Sequence, residues 1–178
     1  GSIRCGVKGR LPFRYIRRCH VDYRQIRISV ILNVVKNLNT HTVYLGLGTN
    51  LGDKETNLRM AVEEIGKRVG EITSLSAFHA SEPWGFESEN SFLNAVCCVS
   101  TELTPIEVLH ITQEIERELG RIKKSVNGIY SDRMIDIDIL LYDDLHIQTP
   151  ELTIPHPLMR ERDFVIIPLR EIAPDKTF

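Results

Sequence analysis

An α+β domain, with an antiparallel sheet and two main helices on one face, is what the order of apolar patterns in this chain predicts. Three observations carry that expectation. From residue 42 onward the patterns run strand, helix, strand, strand, helix, strand. Two of them repeat at helical spacing between clear start and stop signals. The others are short β-branched or apolar runs bounded by glycine, proline or polar turns. This order is that of a ferredoxin-like sandwich.

Each element has its own signal. Thr42-Val43-Tyr44-Leu45-Gly46-Leu47-Gly48 reads as a strand ending in glycines, and Thr49-Asn50-Leu51-Gly52-Asp53 as a turn. A helix over 55–69 follows, with Leu58, Ala61, Val62, Ile65 and Val69 on its apolar face. Residues 71–80 are a strand candidate, 81–90 a polar loop around Pro83-Trp84-Gly85, and 91–101 a third strand. Thr104-Pro105 is a good N-cap and first-turn pair. It opens a helix that runs to about Leu119 with Ile106, Leu109, Ile115 and Leu119 inward, and Gly120 ends it. A loop containing Ser125-Val126-Asn127-Gly128 precedes the last main strand, and residues 151–155 read as a short edge segment.

The 178 residues, 42% hydrophobic, suffice for one domain with a proper core. The net charge of −2 hides an asymmetry. Residues 1–40 carry nine Lys or Arg against one acid and read as a basic leader of unassigned role; residues 41–178 form the domain, with thirteen bases against twenty-three acids. Such an acidic body is a poor nucleic-acid binder, so an anionic ligand needs local cations or metal. Cys5, Cys19, Cys97 and Cys98 lack metal-ligand spacing, and the last two read as buried free thiols in a reducing cytoplasm. No apolar stretch approaches a membrane span.

The most pointed motif is Arg133-Met134-Ile135-Asp136-Ile137-Asp138-Ile139-Leu140-Leu141-Tyr142. Residues two apart in a strand share a side, with Cα atoms roughly 6.6 Å apart. Asp136 and Asp138 can therefore converge on one divalent ion, or on two, while Ile135, Ile137 and Ile139 face the core. Without a cation, two charges about 6 Å apart repel by roughly 3 kcal/mol at an effective dielectric of about 20. Hard oxygen pairs suit Mg²⁺, which shares its shell with substrate phosphates. A solvated strand face carrying two acids is the bland alternative.

Other residues sharpen this. Gly46-x-Gly48-x-x-x-Gly52 is one residue too long for a dinucleotide fingerprint, and reads as a tight turn or a backbone wall for a flat ligand. Phe92 and Asn94 share a strand face, an aromatic plate beside an amide that both donates and accepts. Gln113 and Glu116 share a helix face, followed by the bases Arg121, Lys123, Lys124 and Arg133. Cations beside an acidic metal strand are recurring parts of phosphoryl transfer. His156 is posed between Pro155 and Pro157, and Arg162 and Phe164 again pair a base with an aromatic plate.

In combination these segments resemble the 6-hydroxymethyl-7,8-dihydropterin pyrophosphokinases of folate biosynthesis. The matching stretches are Gly46 to Asp53, Ser81-Glu82-Pro83-Trp84-Gly85, Phe92-Leu93-Asn94, and Glu116-x-x-Leu119-Gly120-Arg121. Arg133-x-x-Asp136-Ile137-Asp138-Ile139-Leu140 and Pro155-His156-Pro157-x-Met159-x-x-Arg162-x-Phe164-Val165 complete the set. The resemblance implies pyrophosphate transfer from ATP to a pterin alcohol, with Asp136 and Asp138 holding two Mg²⁺ ions and Arg121 and Arg133 assisting catalysis. It implies that Phe92 and Phe164 sandwich the pterin, with Gly48, Ser81, Trp84, Asn94 and Arg162 around it. Gln113, Glu116, Arg121, Lys123, Tyr130, Ile139, Thr153 and His156 would line the ATP site.

The expected protein is thus a cytoplasmic enzyme, monomeric or weakly homo-oligomeric, acting on two small molecules. Another Mg-dependent nucleotide phosphotransferase, or a binding module whose leader contacts RNA, are the alternatives; the second leaves Asp136, Asp138 and His156 without a role. Residues 122–132, basic and poor in apolar anchors, are expected to form a lid that orders when both substrates are bound.

Overall fold

The computed structural model describes residues 40–85, 88–120 and 133–176. Arg121, Lys123, Tyr130, the expected lid and all but the end of the basic leader lie outside the described residues. The main elements are β1 (His41–Thr49), α1 (Lys54–Arg68), β2 (Glu71–Leu75), β3 (His79–Ser81), β4 (Phe92–Thr101), α2 (Pro105–Glu118) and β5 (Asp136–Tyr142). The short strands β6 (Ile147–Gln148) and β7 (Thr153–Ile154), a 3₁₀ turn (Met159–Glu161) and α3 (Asp163–Ile172) follow. The sheet runs in the order β2-β4-β1-β5, with every neighbouring pair antiparallel. This is the predicted α+β arrangement of antiparallel sheet and helices.

Local chemistry explains the helix ends. Asp53 caps α1, its carboxylate accepting from the Thr56 N–H. Thr104 and Glu107 cap α2 reciprocally, with Pro105 in the first turn. Leu58, Ala61 and Ile65 of α1 and Val108 and Ile115 of α2 pack on one sheet face, against Val43, Leu45, Leu47, Ala95, Cys97, Val99, Ile137 and Ile139. Ile106 departs from expectation: it is an exposed hydrophobic, and Val108 takes the inward place. An N-cap at Thr104 fixes the helix phase, and that phase points Ile106 outward.

Three further differences matter for the site. The strand expected over 71–80 is broken into β2 and β3, which pair with opposite ends of β4. Ser76 sits in the break, accepting from Val96 N–H through its hydroxyl and donating its own N–H to the Val96 carbonyl. The edge segment at 151–155 pairs with β6 in a hairpin separate from the main sheet. Finally, α3 was not predicted. It lies across the second sheet face, where Val165, Ile166 and Leu169 pack on Tyr44, Val96, Cys98 and Leu140. Its cover of that face is partial, and a cleft remains at the Phe92 end of β4. No helix among the described residues is long and apolar enough to cross a membrane.

Candidate active site

β1 and β5 form the floor of this cleft. Gly46 and Gly48 expose bare backbone on the α3 face of the sheet. A Cβ on Gly48 would stand 3.2 Å from Asn94 Oδ1 and one on Gly46 3.3 Å from Leu140, so side chains there would crowd the cavity walls. On β5, Ile137 and Ile139 point into the helix-side core while Asp136 and Asp138 point into the cleft. The register with β1 then slips between Tyr44 and Leu45. That slip is a bulge at Leu140, which leaves Leu140 and Leu141 both on the α3 side and turns Tyr142 to the helix side.

The cleft, about 620 Å³ with its open mouth, is lined by two kinds of group. Phe92, Phe164, Trp84, Asn94, Ser81 and Gly48 make one end; Asp136, Asp138, Arg133 and Arg162 make the other. Every residue expected around the pterin thus meets the expected catalytic pair in one cavity. Asn94 is held in a defined orientation, its amide nitrogen donating to Ser81 Oγ at 2.9 Å and to the His79 carbonyl at 3.3 Å. Its oxygen is thereby turned toward Gly48 and the cleft. The Arg162 guanidinium lies 4.7 Å from the Trp84 ring centroid and 5.8 Å from that of Phe164. Such stacking lets a nearly buried cation keep favourable electrostatics without a full water shell.

Arg133 Nη1 is paired with Asp136. Asp138 is deeper in its electrostatic surroundings: burial first, and then the Asp136 charge, push its pKa up to about 7. A carboxylate whose ionisation is opposed by burial and by a neighbouring acid marks a donor set short of positive charge, and hard oxygens facing a polar cleft fit Mg²⁺.

The expected ATP-site residues are more dispersed. His156 follows the cis Ile154–Pro155 bond and donates its N–H to the Leu140 carbonyl at 2.9 Å, which ties it to the outer edge of β5. Its Nδ1 accepts from Leu158 N–H. Burial, reinforced by the Arg162 charge, pulls its pKa down to about 4. Glu116 is buried, its carboxylate accepting from Ile137 N–H at 2.8 Å. It therefore steadies the strand between the two aspartates. Gln113, Ile139, Thr153 and His156 are outside the cleft lining; Ile139 is a core side chain.

A pH prediction follows from His156. The folded-state pKa is below the unfolded value, so the unfolded chain takes up the proton first as pH falls through about 6.5. Stability is therefore lost between about pH 6.5 and 4. His156→Asn should flatten that decline in thermal unfolding scans, whereas an unchanged slope would show that His156 is not the group responsible.

Two residues that position the site were not among those singled out from the sequence. Asn50, 2% exposed, accepts the Arg133 N–H through Oδ1 at 2.8 Å and donates its own N–H to the Arg133 carbonyl. It fastens the β1 turn to the start of the aspartate strand. Lys54 donates from Nζ to the carbonyl and hydroxyl of Ser91, the residue before Phe92. An asparagine between Thr49 and Leu51 in a glycine turn was the available signal for the first; Lys54 offered none.

Paired aspartates on the sheet, an arginine just before their strand, and a slot walled by aromatic rings and an amide are a combination that suits a phosphotransferase with a ring-bearing acceptor. The chain belongs to the 7,8-dihydro-6-hydroxymethylpterin-pyrophosphokinase (HPPK) family, whose profile matches residues 44–174. It is 56% identical over 133 residues to the 2-amino-4-hydroxy-6-hydroxymethyldihydropteridine pyrophosphokinase of Porphyromonas gingivalis, covering 74% of this chain and 90% of that one. It is 42% identical over 131 residues to the Bacillus subtilis protein of the same name, covering 73% and 77%. Among solved structures, a Plasmodium falciparum HPPK-DHPS matches with a TM-score of 0.62 at 14% identity. That match covers 78% of this chain and 42% of the other, so the chain spans less than half of that protein, and the likeness bears on the fold alone.

Proposed function

We propose that this domain transfers pyrophosphate from ATP to 6-hydroxymethyl-7,8-dihydropterin, giving AMP and the pterin diphosphate for folate biosynthesis. One observation carries the reading. The slot of Phe92, Phe164 and Asn94 opens directly onto Asp136, Asp138 and Arg133, as an acceptor ring with a short reactive arm requires. The strand order β2-β4-β1-β5, with α1 and α2 on one face, supports the ferredoxin-like reading of the scaffold.

The pterin hydroxyl oxygen attacks the β-phosphorus of ATP, the bond to the α-phosphate oxygen breaks, and AMP leaves with the electron pair. The hydroxyl proton passes to solvent. Asp136 and Asp138 would hold two Mg²⁺ ions, whose positive charge would offset that of the ATP phosphates. Arg133 and Arg162 supply fixed positive charge beside the reacting groups, and Arg121 and Lys123, outside the described residues, are proposed as further cations for the phosphates. Asn94 orients the ring edge, and the two phenylalanines exclude water from its faces. Gln113, Glu116, Tyr130, Ile139, Thr153 and His156 are proposed to form the nucleotide side, with Glu116 acting through the β5 backbone that it holds. We place the enzyme in the cytoplasm as a monomer or weak homo-oligomer, which size-exclusion chromatography checks.

The ring slot is tested by Phe164→Ala. Loss of one stacking face should weaken pterin binding by about 1–3 kcal/mol, borrowing the magnitude for a base stacked on an aromatic side chain. Calorimetric titration should show ATP-analogue affinity nearly unchanged. Equal losses for both ligands would mean that Phe164 serves the core rather than the ring.

A further inference from the structure

Glu171 breaks a local rule. It is an acid in the last turn of α3, where the carbonyl end of the helix disfavours negative charge. Its carboxylate nonetheless reaches the start of β3 rather than its own helix, with one hydrogen bond and one close contact that is not aligned as a hydrogen bond. Oε1 lies 2.6 Å from His79 Nε2, and Oε2 accepts the Ala77 N–H at 2.9 Å. Both partners flank the start of β3, where the broken edge strand resumes.

The two walls of the ring slot come from separate elements. Ser81 and Asn94 belong to β3 and β4, whereas Phe164 belongs to the first turn of α3. Asn94 Nδ2 is held by the His79 carbonyl and by Ser81 Oγ, so its orientation depends on where β3 sits. β3 is only three residues long and, among the described strands, pairs with β4 alone, which gives it little hold of its own. Glu171 grips the start of that strand from the helix that presents Phe164.

We propose that Glu171 and His79 are positioning residues for the acceptor ring, a brace that sets β3 against α3 and thereby fixes Asn94 and the width of the slot. This rests on the reading that Asn94, Phe92 and Phe164 hold the pterin. The pair is partly exposed, 29% and 37% at the side chains, and a contact that exposed adds little to stability. Its value is geometric: a small displacement of a binding group costs far more in recognition than in folding.

The test is calorimetric titration of 6-hydroxymethyl-7,8-dihydropterin in the presence of a non-hydrolysable ATP analogue, with that analogue also titrated alone. Glu171→Ala should weaken pterin binding about tenfold, leave the analogue's affinity within about twofold, and shift the unfolding midpoint only slightly. Glu171→Gln keeps an acceptor for Ala77 N–H and should recover part of the loss. His79→Ala should match Glu171→Ala, and the double variant should be no weaker than either. Should Glu171→Ala fail to fold, His79→Ala and Glu171→Gln carry the same readout. Phe164→Ala is the control: weakening there with wild-type affinity in Glu171→Ala and His79→Ala overturns the brace. Loss of pterin and nucleotide binding together also overturns it. Unchanged binding in Phe164→Ala overturns the ring-slot reading, and the brace with it.

Discussion

Asp138→Asn is expected to lower pyrophosphate transfer by at least roughly a thousandfold while making the unliganded protein more stable at pH 8. The first effect follows from the cleft. Asp136 and Asp138 are its paired carboxylates, and a metal ion's offset of transition-state charge is worth several kcal/mol, with each 1.36 kcal/mol a factor of ten in rate. The second follows from the sign of the titration. The Asp138 pKa rises from 3.8 to about 7 on folding, chiefly through burial and then through Asp136. Between about pH 4 and 7 the folded state holds a proton that the unfolded state has lost, so stability falls as pH rises through that window. Above pH 7 the penalty stays in place. Asparagine removes it, so the variant should gain in unfolding midpoint at pH 8 and gain nothing at pH 4. Millimolar Mg²⁺ should stabilise the wild type and not the variant. An active Asp138→Asn, or one destabilised at pH 8, would contradict the role given to this pair.

Arg133→Ala is expected to reduce kcat by roughly 10³-fold, the lower end of what one arginine on a transferring phosphate contributes. The Arg133 side chain is 9% exposed, pairs with Asp136 through Nη1, and lines the cleft between the aspartates and the turn that Asn50 holds. Its removal takes away a fixed cation and leaves two carboxylates facing each other. Arg133→Lys should recover only part, because an ammonium replaces the charge but not the planar fork. Steady-state rates within tenfold of wild type in Arg133→Ala would remove Arg133 from the catalytic group.

Which side chains face the cleft was legible in the sequence wherever strand alternation holds. Asp136 and Asp138 could be read because strand periodicity alone puts residues two apart on one side, and the isoleucines between them fix which side is core. Phe92 with Asn94 was readable for the same reason. The Leu140 bulge was not: it breaks the alternation that sequence reasoning relies on, and nothing in Ile139-Leu140-Leu141 signals it. Helix α3 was missed because Pro168 lies inside an otherwise apolar run, which reads as an interruption. Its apolar face is needed to cover Tyr44, Val96 and Leu140, a requirement visible only once the sheet exists. Glu116 shows the opposite limit. Its spacing from Gln113 suggested a ligand-facing pair, yet its carboxylate is drawn to the backbone of the edge strand β5. Tertiary partners of that kind cannot be read from helical spacing.

The most direct measurement is the product of ATP turnover. With Mg²⁺ and 6-hydroxymethyl-7,8-dihydropterin both present, AMP should appear in equal amount with the pterin diphosphate, and omitting either should stop its release. Formation of ADP, or AMP release that is indifferent to the pterin, would contradict the account.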